Sequence, residues 1–285
     1  MKYFEYMCIV LLLAILFILI VDNTTKILQA NQKYENSYTA PIQLNITQNS
    51  VPPNKSEKGK IPLNIFQTWQ DKFLPPKMVE CVNSITQCNP EFNHYLYDDQ
   101  ECYEFIKTNF DSDVLYAYES LIPGAFKADL WRCCILYKYG GVYLDIKYKC
   151  VNGFKLLELT DDEYFVKDLY ETNNRKAVYN AFIVAYPGNA ILEKSIRKIV
   201  EHVRSRFYGS CPLDVTGPTM MIKLFKPADE KKLERMKLAA HLRSLYITYK
   251  DTPILMMYPE YRMEQSMFSK KQYYAELWSD RSIYE

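Results

Sequence analysis

The sequence is poor in glycine and histidine, has no excess of basic residues, and lacks the loops that usually cradle nucleotide phosphates. Only 8 of its 285 residues are glycine, and neither a Gly-x-Gly-x-x-Gly stretch nor a Walker loop occurs. Those absences argue against a Rossmann or P-loop nucleotide site. Lys plus Arg number 35 against 34 Asp plus Glu. Nucleic acid is therefore not the expected partner, because phosphate-binding domains carry a clear basic surplus. Three histidines and no Cys-x-x-Cys pair weaken a zinc reading. What is present is ordinary globular material, 48% hydrophobic and 24% charged, with aromatics at 15% and tyrosine alone at 25 residues. The length suits one large domain with appendages, or two small domains.

Cys8 to Val21 reads CIVLLLAILFILIV, fourteen apolar residues without a charge, and Met7 and Tyr6 extend it to sixteen. A core helix would show a polar face, and this run is apolar all round. Its length falls just short of the roughly 17–25 residues of a spanning helix, and no clear small-x-small cleavage site follows. The reading is a cytoplasmic tail at 1–7 and an uncleaved signal-anchor transmembrane helix at 8–21, with a cleavable signal peptide as the alternative. Residues 22–60 are rich in Asn, Gln, Thr, Ser and Pro without apolar periodicity, which reads as a stem linker. The sequons at Asn23, Asn45 and Asn54 lie in that stretch, and the following 225 residues carry none. Clustered beyond an apolar anchor, they fit a lumenal glycosylated stalk. Seven cysteines follow the anchor, an odd number, so at least one thiol stays free or pairs between chains.

From Ile61 to Glu285 apolar runs alternate with polar breaks. Leu63–Trp69, His94–Tyr97, Val142–Leu144 and Tyr179–Tyr186 read as strands. Lys77–Gln87, Asp99–Asn109, Gly124–Tyr139 and Ala190–Arg206 read as helices, the second capped by Asp98 or Asp99 and the third ended by Gly140-Gly141. Lys226–Lys237 reads as a solvated helix face. The alternation implies an α/β domain with a mainly parallel sheet flanked by helices.

Ala125 to Tyr148, AFKADLWRCCILYKYGGVYLDIKY, holds the most chemistry. Asp129 and Arg132 are three apart and share one helix face. The helix runs through Gly140-Gly141 into a strand whose carboxyl end presents Asp145, and ligand crevices of open α/β sheets lie at such ends. The alternative is a plain Asp129–Arg132 ion pair, worth little at a surface, with Asp145 as a strand-ending turn residue.

This block resembles the sugar-binding region of the DXD-containing glycosyltransferases of family 32, the family of initiating α-1,6-mannosyltransferases and α-1,4-galactosyltransferases. The resemblance runs through Ala128, Asp129, Arg132, Leu136, Tyr137, Tyr139, Gly140, Gly141, Val142, Tyr143 and Asp145. Ile65-Phe66-Gln67-Thr68-Trp69, Asn180-Ala181-Phe182 and Thr216-Gly217-Pro218 resemble flanking motifs in the family's order. The resemblance implies a GT-A type fold, a nucleotide-sugar donor, a glycan or glycolipid acceptor, and transfer of a hexose with retention of configuration. It implies that Gln67, Thr68, Trp69 and Tyr143 border the nucleotide and that Asp129 holds donor-sugar hydroxyls. Arg132 would bind sugar or diphosphate, and Asp145 ribose and metal. Asn180, Thr216, Gly217 and Pro218 would form donor and acceptor segments. With the anchor, it implies a single-pass type II protein of the Golgi or another secretory membrane, catalytic domain lumenal. Trp69 as an ordinary core aromatic stays open beside its implied role.

Two departures qualify the pattern. The second Asp of the motif is replaced by Lys147, and an ammonium cannot ligate a cation. Glu276 stands where the family has a histidine, beside a retained Trp278. Mn²⁺ held by Asp145 with Glu276, or with Asp280, is the expectation. A fixed Lys147 cation in place of the metal, and a catalytically degenerate sugar- or nucleotide-binding scaffold, are the alternatives.

Overall fold

The computed structural model describes residues 21–22, 24–25, 40–44, 59–169, 177–241 and 244–285. The chain divides into two compact units, 1–40 and 41–285. The expected tail and anchor and the three sequon asparagines, Asn23, Asn45 and Asn54, lie outside the described residues, except that the anchor's last residue, Val21, is described. Among the described residues no helix is long and apolar enough to cross a membrane.

In the second unit the strands are β1 (Ile42–Gln43), β2 (Asn64–Thr68), β3 (Phe73–Leu74), β4 (Asn93–Tyr97), β5 (Gly141–Leu144), β6 (Tyr148–Cys150), β7 (Tyr164–Lys167), β8 (Val178–Ala185), β9 (Met236–His241), β10 (Ser244–Tyr249) and β11 (Thr252–Met257). The helices are α1 (Pro76–Cys88), α2 (Asp99–Asn109), α3 (Ser112–Ser120), α4 (Gly124–Tyr139), α5 (Ala190–Arg204), α6 (Pro218–Ile222), α7 (Tyr261–Phe268) and α8 (Tyr274–Ser279). Nine strands form one sheet in the order β4-β2-β5-β8-β7-β9-β10-β11-β6. The domain is α/β, but the sheet is mixed, which corrects the expectation of a mainly parallel one. Only β2–β4, β2–β5 and β7–β9 run parallel, and the other five pairings are antiparallel. Part of the reason is local. β10 turns into β11 through Lys250-Asp251 alone, and a two-residue connection allows only an antiparallel return. Residues 41–44, expected in the stem, join the folded unit, because Ile42–Gln43 pair with Phe73–Leu74.

The helices follow their end signals. Asp98 caps α2 in a capping box with Glu101, and Pro76 opens α1 at its first turn. α4 differs from the others, because Asp129 through Leu136 are all buried. A helix buried on every side gives its polar residues no route to water, so Asp129 and Arg132 must find partners inside. Its C-terminus needs the glycine pair. Gly140 and Gly141 have φ of 64° and 114°, and a Cβ on Gly141 would meet the Asn64 carbonyl oxygen at 2.6 Å. That close approach docks the end of α4 onto β2 and aims β5 along it.

Two apolar layers sandwich this sheet. Phe66, Trp131, Tyr143 and Ile183 join one cluster, while Ile65, Val142, Leu144 and Val184 join the other, as strand alternation dictates. The Lys226–Lys237 run, expected as a helix face, is a 3-10 turn followed by the start of β9. Leu233 and Met236 are its buried positions.

His94 is buried in β4 between the Thr86 hydroxyl and Gln67 Oε1, each 2.7 Å from a ring nitrogen. Burial pushes its pKa down to about 4. The folded state keeps the ring neutral while the unfolded chain protonates near the usual value, so stability falls as pH drops from that value towards 4. The expected loss between about pH 7 and pH 5 is about 2 kcal/mol, or about 4–8 °C in melting temperature at this size. Thermal melts of wild type and His94→Gln at the two pH values check this. An equal pH slope in both would refute it.

Candidate active site

Three elements converge at the carboxyl end of β5. α4 supplies Asp129 and Arg132, the segment after β5 supplies Asp145 and Lys147, and β8 supplies Asn180. β8 can do so because its pairing with β7 jumps from Ile183 to Tyr179 across consecutive β7 residues. That bulge leaves Asn180 outside the β7 ladder, free to turn both its backbone and its side chain to other partners.

Asp129 accepts hydrogen bonds from Asn180 Nδ2 at 2.9 Å and Thr216 Oγ1 at 2.8 Å, and lies 3.3 Å from Arg132 Nη2. Burial pushes its carboxyl above the usual range, although Arg132, Thr216 and Asn180 all pull the other way. The Arg132 guanidinium donates to the Asn180 carbonyl at 2.7 Å and to the Ala128 carbonyl at 3.2 Å. It also stands 3.5 Å from Asp145 Oδ1 and 4.4 Å above the Tyr143 ring. Asp145 Oδ1 accepts from the Tyr143 hydroxyl at 2.7 Å, and Oδ2 from the Lys147 ammonium at 2.6 Å. Burial pushes Asp145 up, but Lys147 and Arg132 outweigh it and hold the carboxyl below the ordinary value. Lys147 is held above its ordinary value against burial, chiefly by Asp145. Asp145 is the most open of the four, with 21% of its side chain exposed against 7% for Arg132 and 11% for Lys147. The cluster is thus a buried, charge-balanced array with one face reachable by a ligand.

The expected residues fall into groups. Asp129, Arg132, Tyr143, Asp145, Lys147, Asn180 and Thr216 are linked in one network. Gly217 belongs with them, since a Cβ there would sit 3.2 Å from Asp129 Oδ2. Pro218 opens α6 directly behind it. Gln67, Thr68 and Trp69 lie at the carboxyl end of β2, next to β5, but Gln67 and Thr68 have structural commitments. Gln67 is fully buried against His94, and Thr68 donates to the Tyr97 carbonyl at 2.9 Å. The buried indole N–H of Trp69 has no hydrogen-bond partner. Trp278 is a packing residue whose Nε1 donates to the Tyr208 carbonyl.

The expected Mn²⁺ does not fit these residues. Asp145 is the one carboxylate of its motif, and both its oxygens already serve donors, one of them the Lys147 ammonium. A divalent ion there would have to displace one cation and sit beside another. Glu276 is exposed on α8, and among the described residues no three Asp, Glu, His or Cys side chains gather for an ion.

Several neighbours went unforeseen. The rings of Tyr148, Tyr179 and Tyr261 surround Lys147 with centroids 5.6, 5.4 and 5.7 Å from Nζ. Tyr274 of α8 packs against Phe126 of α4, with ring centroids 5.8 Å apart. The abundance of tyrosine was the only signal, and it carries no position.

Residues 75–166 match the family described as the glycosyltransferase sugar-binding region containing DXD motif. The inositol phosphoceramide mannosyltransferase 3 of Schizosaccharomyces pombe is 36% identical over 95 residues, covering 33% of this chain and 26% of its own. The initiation-specific alpha-1,6-mannosyltransferase of Candida albicans is 33% identical over 96 residues, covering 32% of this chain and 25% of its own. The chain therefore matches about a quarter of the length of these relatives. Among solved structures, the PaToxG glycosyltransferase superposes with a TM-score of 0.46 at 18% identity, covering 62% of this chain and 72% of that one. Residues 75–166, which hold Asp129, Arg132 and Asp145, are thus similar to the glycosyltransferase sugar-binding region containing DXD motif.

Proposed function

We propose that the chain is a glycosyltransferase of GT-A type that moves a hexose from a UDP- or GDP-sugar to a glycan or glycolipid acceptor, with retention of anomeric configuration. The observation that carries this reading is the network in which Asp129, Arg132, Asp145 and Lys147 meet at the carboxyl end of β5. A carboxylate with lone pairs to spare suits sugar hydroxyls, and a planar guanidinium suits sugar or phosphate oxygens. The names of the relatives support mannose as the sugar and an inositol phosphoceramide as one acceptor class.

The chemistry asks for charge stabilisation more than for a protein nucleophile. The bond from the anomeric carbon to the phosphate oxygen breaks, and its electron pair leaves with the nucleoside diphosphate. The acceptor hydroxyl oxygen bonds to the anomeric carbon from the same face, and its proton passes to the departing oxygen. Asp129, fixed by Asn180 and Thr216, holds the sugar while positive character develops on it. Arg132 and Lys147 offer preorganised positive charge to the departing diphosphate.

Incubating the full chain with UDP- and GDP-sugars and an inositol phosphoceramide acceptor tests this, with release of nucleoside diphosphate and mass of the product as readouts. Transfer from one donor is the expected result. Release from none of them, with donor bound, would favour the degenerate, sugar-binding alternative that Lys147 first suggested.

The run at 8–21 and the sequons support a lumenal domain on a type II anchor in the Golgi or another secretory membrane. Asn23, Asn45 and Asn54 are then expected to carry glycans. Expression in a glycosylating cell should give a protein whose gel mobility shifts on glycosidase treatment, and an unshifted band would contradict that topology.

A further inference from the structure

The geometry points to Lys147 as a built-in replacement for the divalent cation, so that nucleoside diphosphate binding by this chain needs no metal. The inference rests on the glycosyl-transfer reading and says how the donor's diphosphate is neutralised.

Two carboxylates spaced as Asp-x-Asp with one divalent ion are neutral together, and Asp145 with Lys147 is neutral without any ion. The exchange of one acidic for one basic side chain therefore reproduces the charge that the ion would bring. Position agrees with charge. The Lys147 ammonium lies 2.6 Å from Asp145 Oδ2, so the cation already occupies an oxygen that an ion would need.

The setting of the lysine also favours a fixed cation over a loose surface charge. Lys147 is 9% exposed, and its nitrogen is boxed by Tyr148, Tyr179 and Tyr261. Ring faces stabilise an ammonium without neutralising it, so its field is still available to an anion. Tyr148 and Tyr179 are themselves locked together by a 2.7 Å hydroxyl contact. Arg132, 3.5 Å from the other oxygen of Asp145, adds a second fixed cation. The Asp145 oxygens are then spent on holding two cations in place, which is a different task from ligating a metal.

The test uses the full chain, with GDP, UDP and MnCl₂ as probes in titration calorimetry. Whichever nucleoside diphosphate binds is expected to bind equally well in EDTA and in Mn²⁺, within about twofold. Mn²⁺ alone should show no saturable binding to the wild type. Lys147→Met should weaken nucleoside diphosphate binding by about 10- to 100-fold, the scale of one charged hydrogen bond. Lys147→Asp should make binding depend on Mn²⁺, an effect that a purely structural lysine would not produce. Saturable Mn²⁺ binding by the wild type, or binding that EDTA abolishes, overturns the inference and leaves the glycosyl-transfer reading standing. Failure of both GDP and UDP to bind in either medium overturns the reading and the inference together. The wild-type arms need no variant, so misfolding of a Lys147 substitution does not blunt the test.

Discussion

Replacing Asp129 by asparagine is expected to abolish sugar transfer while leaving the fold intact. The amide keeps the volume of the carboxyl and much of its bonding. Its oxygen still accepts from Asn180 Nδ2, and its nitrogen still finds the Thr216 hydroxyl, which accepts as readily as it donates. The amide nitrogen has no lone pair, so half of the group stops accepting bonds from a sugar hydroxyl. The negative charge facing the developing cation also disappears. Loss of one preorganised group of this kind lowers turnover by about 10²- to 10³-fold. Stability should hold or rise slightly, because burial already pushes the Asp129 carboxyl towards its neutral form. Turnover and melting temperature measured together decide the matter. Wild-type turnover in Asp129→Asn would remove the residue from the site, and a collapsed melt would make its role structural.

Arg132→Met has the largest expected effect on stability. The guanidinium satisfies the Asn180 and Ala128 carbonyls and lies between Asp129 and Asp145, all at a position 6% exposed. Methionine fills much of the space but leaves two carboxylates facing each other with one cation fewer. Breaking a buried charge pair from one side costs about 3–5 kcal/mol, equivalent to about 10 °C in melting temperature for a domain of this size. The deficit should depend on pH. Without Arg132 the folded-state pKa values of both carboxyls rise, so the penalty is full above those values and shrinks as pH falls through them. Arg132→Lys keeps the charge and loses the planar fork, so it should melt between the other two proteins and transfer sugar poorly. A deficit in Arg132→Met that stays constant from neutral to acid pH would argue that packing, not charge, is what Arg132 supplies.

Much of this was legible where backbone and side chain obey local rules. Gly124–Tyr139 matches the predicted helix at both ends, and Gly140 marks where it stops. The network around Asp129 and Arg132 was reachable because fixed spacing put both on one helix face. The direction of the outer strands was hidden. Lys250 and Asp251 both adopt positive φ, 47° and 65°, in a turn that Asn-Gly usually announces. Nothing in Lys-Asp signals a hairpin, so β10 and β11 gave no warning of their antiparallel return. The tyrosines around Lys147 were hidden for another reason. Tyr148, Tyr179 and Tyr261 come from three distant segments, and only the sheet brings them to one point. Glu276 is exposed on α8, and a sequence offset by itself fixes no distance between α8 and β5.

If the nucleotide sugar binds at the end of β5, hydrogen–deuterium exchange of the full chain with and without GDP-mannose or a UDP-sugar will register it there. Slowed exchange is expected in peptides carrying Ala128–Arg132, Asp145–Lys147, Tyr179–Asn180 and Thr216–Pro218, with no change along α3 and α5. Donor-dependent protection confined to α3 and α5, with the β5 end unaltered, would place the donor away from Asp129, Arg132 and Asp145.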